Sequence, residues 1–201
     1  MVQSLPERAL RARRRRGGRA CRSVVLCAVY SPAVSEWGQR TFGDPCRVCG
    51  FDWSMPQDEA EEWLAGTAKR YALLLGEADG TQRHPELEWN VRGYVCHVAD
   101  SLRVWAERLA NAALGDPGPV ADYNQDRLAN ARSYGDIGIR GALWSLGRAV
   151  GDWQAALALA SEGNTVVLHD ELGAMTVVDV VRVRAHDVTH HTHDIEQSLP
   201  H

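Results

Sequence analysis

Four of the chain's eight histidines and two aspartates are packed into Val183-Arg184-Ala185-His186-Asp187-Val188-Thr189-His190-His191-Thr192-His193-Asp194-Ile195. Imidazoles and carboxylates are costly in a core unless paired, so such a cluster is either a solvated face or a metal site. At about 100° per residue, Val177, Val181, Val188, Ile195 and Leu199 form one narrow apolar stripe that should meet the core. His186, His190 and His193 fall roughly opposite that stripe, and are expected toward solvent. Asp187 and His191 lie one turn apart on its flank, where both can reach a single cation. They are therefore the expected ligand pair, in preference to His186 and His190.

A third ligand comes from a second helical stretch. Val91, Val95, Val98, Leu102, Trp105 and Leu109 alternate in steps of four and three, the seam of a helix bundle, and His97 sits on its flank. Two such helices packed seam to seam bring His97, Asp187 and His191 toward one point. Two histidines and a carboxylate leave coordination positions free for water or substrate, which suits a catalytic site. Zinc is the first choice for this donor set, with nickel, iron and manganese also open. The bland alternative is a solvated histidine face with His97 as a buried, hydrogen-bonded imidazole.

At these residues the chain resembles the DinB-like four-helix metal proteins. That superfamily includes the metal-binding domain of mycothiol-dependent maleylpyruvate isomerase and the bacillithiol S-transferases. Its members carry a His in the second helix, and a His or Glu followed four residues later by a His in the last. Carried over residue by residue, these are His97, Asp187 and His191. Asp187 departs from the usual Glu by one methylene. The resemblance covers about Cys46 to Leu199. It implies a metal that binds the thiol of a low-molecular-weight cofactor, mycothiol in particular, and presents the thiolate to an electrophile. S-transfer or thiol-assisted isomerisation is the chemistry so implied. A hydrolase using metal-activated water, and a non-enzymatic metal-stabilised bundle in stress response, are the competing readings.

The fold expected is all-α: a four-helix bundle of DinB-like type with a long crossover and a small β-hairpin before the last helix. Ser54-Met55-Pro56-Gln57 caps a first helix running to about Glu77. A second spans roughly Asn90 to Leu114, ended by Gly115-Asp116-Pro117-Gly118-Pro119. The crossover through Tyr123 and Tyr134 is long enough to wall a pocket. Residues 136–161 repeat Ile139, Leu143, Leu146, Val150, Trp153, Leu157 and Ala160 as a third seam, with Trp144 and Trp153 placed in or near the core. Val166–His169 and Ala174-Met175 read as the hairpin, and Thr176 with Asp179 opens the last helix.

Ahead of this domain, assigned to 54–201, residues 1–36 read as a basic, disordered tail and 37–53 as a Cys-x-x-Cys leader loop. Cys46-Arg47-Val48-Cys49-Gly50 has zinc-knuckle spacing, in which Gly turns backbone amides toward the sulfurs. No second Cys-x-x-Cys completes it, so it reads as a half-knuckle or a plain loop. Similar leaders precede some DinB-like domains from actinobacteria. Of the 22 basic residues eight lie in 1–22 with only Glu7 against them, so the remainder holds 14 basic and 25 acidic residues, a net of −11. An acidic body is a poor partner for phosphate backbones, which argues against nucleic acid. No apolar run suits a bilayer, and five unevenly placed cysteines make no secreted-type framework, so a reducing cytoplasm is expected. The expected partners are a small thiol and an electrophile, with a homodimer left open.

Overall fold

A computed structural model describes residues 34–115 and 118–200. Most of the tail assigned to 1–36 lies outside them. The leader is more ordered than a loop: it begins with helix α1 (Val34–Phe42), then tight turns bring the chain to Trp53.

The first expected bundle helix is two, α2 (Gln57–Ala65) and α3 (Thr67–Leu75), broken at Gly66. Glycine is a poor helix former, and the Trp63 carbonyl is taken by the side chains of Thr67 and Arg70. The Arg70 guanidinium lies over the Trp63 ring at 3.6 Å, which holds the break in place. Next come α4 (Val91–Ala113), α5 (Gln125–Ala131), α6 (Ile139–Ser161), strands β1 (Val166–His169) and β2 (Gly173–Thr176), and α7 (Val177–Ser198). The crossover is thus less bare than expected, since it carries α5 and a 3₁₀ turn at Tyr134–Asp136. β1 and β2 pair antiparallel, with Val167 opposite Met175, which bears out the hairpin. The cap at Thr176 falls where the sequence placed it, but the one expected at Ser54 does not form: α2 starts after Pro56 with no side-chain cap, and the Ser54 hydroxyl donates to Asp52 instead. Asn90 accepts from the Gly93 amide, and Thr176 and Asp179 close a reciprocal capping box.

The bundle consists of α2 with α3, α4, α6 and α7. α4 is its centre: the seam Val91, Val95, Val98, Leu102, Trp105 and Leu109 is entirely buried, against α6 on one side and α7 on another. On α6, Leu146, Val150, Trp153, Leu157 and Ala160 are buried. Trp144 is not; it is 71% exposed, a correction to its expected place near the core. It lies on the outer face of α6, where none of the described residues buries it.

The crossover is tied to the bundle by one buried carboxylate. Asp100 of α4 is 2% exposed and accepts from Arg103, from Arg132 just past α5, and from the Tyr134 hydroxyl at 2.6 Å. Arg103 also reaches Ser145 of α6 at 3.0 Å, so three elements share one ion cluster. A buried charge is tolerated only when so surrounded. Asp100→Ala should therefore lower the urea midpoint by an amount equivalent to about 2–3 kcal/mol without changing the slope of the transition. A loss within about 0.5 kcal/mol, the range of ordinary surface substitutions, would show that the cluster is solvated instead.

Candidate metal centre

α4 and α7 pack so that His97, Asp187 and His191 face one another, as their positions on the two seams require. Their donor atoms all lie within 4.8 Å of one another. Asp187 Oδ1 is 4.0 Å from His97 Nε2 and 3.6 Å from His191 Nε2. The two rings meet edge to face with centroids 4.7 Å apart. His97 is 3% exposed, and Trp89 packs on its ring at 5.0 Å.

Neighbouring groups hold these side chains in place. His191 Nδ1 lies 2.9 Å from Asp194 Oδ2, one turn further along α7. Such a carboxylate fixes the tautomer and leaves Nε2 free to act as a donor toward a cation. The second oxygen of Asp187 accepts from Ser101 Oγ at 2.7 Å and from Arg184 Nη1 at 3.3 Å. Ser101 lies one turn beyond His97 on α4, and Arg184 also donates to it at 2.6 Å. His97 Nδ1 is buried with no hydrogen-bond partner among the described residues. The Nε2 atoms of His97 and His191 set beside an ionised Asp187, with His191 pre-oriented by Asp194, together fit a divalent cation. Residues present in this number leave coordination positions open.

Charge follows the same logic. Burial works to raise the Asp187 carboxyl, but Arg184 and the bonds from His191 and His97 outweigh it and hold its pKa well below the usual range. Burial likewise works to lower His191, but Asp187 and Asp194 push it up to about 9. At neutral pH the Asp187 carboxylate is thus flanked by two cations, the Arg184 guanidinium and the His191 imidazolium.

The site opens onto a cleft of about 390 Å³. His97, Ser101, Arg184 and Asp187 form its floor, and Trp37 of α1 and Trp105 of α4 contribute aromatic walls. Asp122, Tyr123, Asn124, Gln125 and Asp126 of the crossover and Glu171 of the hairpin line the rest. The crossover therefore does wall the pocket. His169, also on that wall, could be mistaken for a catalytic base. Its Nδ1 faces the amides of Glu171 and Leu172 at 3.3 Å and its Nε2 faces Asp122 at 3.1 Å, so both nitrogens are occupied and it latches crossover to hairpin.

The face assigned to solvent is the main correction. His186 is 5% exposed and His190 half-buried, because the leader folds over them. Phe42, Phe51 and Trp53 pack on the His186 ring with centroids 4.6, 5.4 and 4.6 Å away. Burial and the neighbouring His190 push the His186 pKa down to about 4, so it is a neutral imidazole. Sequence reasoning missed this, although the aromatic run Phe51-Asp52-Trp53 was a visible signal that the leader needed an apolar surface to cover.

A helical bundle whose α4 and α7 bring two histidines and an aspartate together defines the class of protein. The DinB superfamily model matches residues 1–195, and the chain belongs to that superfamily. The fold is similar to that of YfiT from Bacillus subtilis, described as a probable metal-dependent hydrolase with an unusual four-helix bundle topology. The likeness has a TM-score of 0.59 at 18% identity, over 72% of this chain and 89% of that one. No curated protein matches the sequence. Among the described residues, no helix is long and apolar enough to cross a membrane.

The imidazolium makes cation binding a competition with protons. Below about pH 9 an entering cation must displace the His191 proton, so apparent affinity should fall about tenfold per pH unit. Asp194→Asn removes one of the carboxylates that raise His191 and should move the break in the curve to lower pH. Calorimetric metal titrations across this range would measure both; an affinity indifferent to pH would contradict the assigned ligand.

Proposed function

We propose that the protein is a metal-dependent enzyme of low-molecular-weight thiol chemistry, with His97, Asp187 and His191 as ligands and zinc as the first candidate ion. The observation that supports this reading is a group of three donors, His97, Asp187 and His191, two of which line an open cleft, rather than a sealed four-donor set. A bound divalent ion supplies Lewis acidity that lowers the pKa of a thiol in its open position.

The chain's own groups account for binding and orientation. Arg184, fixed by Ser101 and Asp187, presents a cation to the cleft that can hold an anionic group of a substrate. Asn124, Gln125 and the carboxylates of Asp122, Asp126 and Glu171 offer acceptors and donors suited to a hydroxyl-rich partner such as mycothiol. Trp37 and Trp105 narrow the cleft and reduce access of water to its floor. Asp194 keeps the His191 tautomer, and thereby the ring orientation, constant.

A second reading, hydrolysis by metal-activated water, is supported by the fold shared with YfiT and its description as a probable metal-dependent hydrolase. The two separate in a thermal-shift assay of the metal-loaded protein. A cognate thiol at about a hundred times its Kd should stabilise by about 2.7 kcal/mol, which for a chain of this size is a rise of about 5–10 °C. The shift should vanish in His97→Ala and His191→Ala, and the same thiol should then support S-transfer to electrophiles. No shift with any thiol, alongside metal-dependent cleavage of esters or amides, would favour the hydrolase. Bound metal with neither response would leave a metal-stabilised bundle.

A further inference from the structure

The leader and the last helix bring a second donor cluster together. Cys46, Cys49, His186 and His190 place one ligand atom each within 4.8 Å of all the others. Cys46 Sγ lies 4.0 Å from His190 Nδ1, and the rings of His186 and His190 are 5.5 Å apart. A tetrahedral zinc with bonds of about 2.0–2.3 Å needs donor separations of about 3.3–3.8 Å, so the cluster needs only a small contraction. Cys46 is 3% and His186 5% exposed, and Cys46 and Cys49 form no disulfide. His186 Nε2 is buried without a hydrogen-bond partner, an orphan that calls for an explanation.

The loop has the shape that a sulfur-bound cation requires. Gly50, at φ +73°, turns the chain so that its amide donates to the Cys46 carbonyl while the Cys46 amide donates to Phe51. The leader thus supplies half of a Cys₂His₂ set, and the missing half comes from α7, about 140 residues away in sequence.

We propose that Cys46, Cys49, His186 and His190 form a second, structural zinc site that clamps the leader onto α7. All four positions of a tetrahedral ion are filled by protein, in contrast to the open three-ligand site beside it. Binding releases the two thiol protons to solvent, with no change in oxidation state. The clamp reaches the cleft as well, since α1, which carries Trp37 to the cleft wall, leads directly into the knuckle. This proposal does not depend on the thiol-chemistry reading.

The test uses the full chain, isolated under reducing conditions and reconstituted with zinc or cobalt(II). Elemental analysis should give two metal equivalents per chain. Cobalt should produce the intense thiolate-to-metal charge-transfer absorption that a His/Asp/His site cannot give. Cys49→Ser and His190→Ala, at the less buried positions, should each lose one equivalent and most of that absorption. His97→Ala should lose the other equivalent and keep it. Cobalt-loaded wild type without thiolate absorption would overturn the second site, and this readout needs no variant to fold. Retention of both equivalents in Cys49→Ser would overturn it too. Retention of both in His97→Ala would instead count against the catalytic site, so the two failures are distinguishable.

Discussion

The structure depends on the rotational setting of α7. An α-helix places residues i and i+4 almost above one another and turns by about 100° between neighbours. The pairs His186/His190 and Asp187/His191 therefore point in two directions from one helix, one pair toward the leader and one toward α4. The stripe Val181, Val188 and Ile195, buried in the core, fixes the third direction. A modest rotation of α7 would spoil both donor clusters and expose that stripe. Tyr71 adds a further pin, since its buried hydroxyl donates to the Val188 carbonyl at 3.3 Å.

Around this axis the chain shows two kinds of polar burial. The Asp100 cluster has its carboxylate oxygens accepting from two arginines and a tyrosine, and its role is to tie the crossover to α4 and α6. At the two donor clusters on α7, imidazoles converge with a carboxylate in one and with two thiols in the other, and ring nitrogens of His97 and His186 remain without partners among the described residues. Satisfied networks belong to architecture, whereas unsatisfied ones at converging side chains point to a ligand. By the same criterion His169, both of whose nitrogens are occupied, belongs with the architecture.

The catalytic reading and the structural zinc reading use adjacent residues, His191 and His190, yet ask different things of them. His191 is backed by Asp194 and faces Asp187 and His97; His190 faces a cysteine and lies beside the Phe42 ring, whose centroid is 6.2 Å away. A leader held on α7 also sets one wall of the cleft through Trp37. The segment ahead of the bundle is thereby a part of the site rather than an appendage to it.

The sequence alone determined the seams of α4, α6 and α7, the hairpin and the capping box at Thr176, and it set His97, Asp187 and His191 on helix flanks that the fold brings together. Each rests on a local period or a short-range pairing that the chain carries within one element. What only the tertiary structure decided is which elements cover which faces. A helical wheel shows that His186 and His190 oppose the core stripe, but not that a distant Phe42-Phe51-Trp53 group lies over them. It could not show that Cys46 and Cys49 find their remaining donors there. Nor could it show that Trp144 stays bare. These outcomes depend on contacts between residues far apart in sequence, and a period within one helix holds no information about its neighbours.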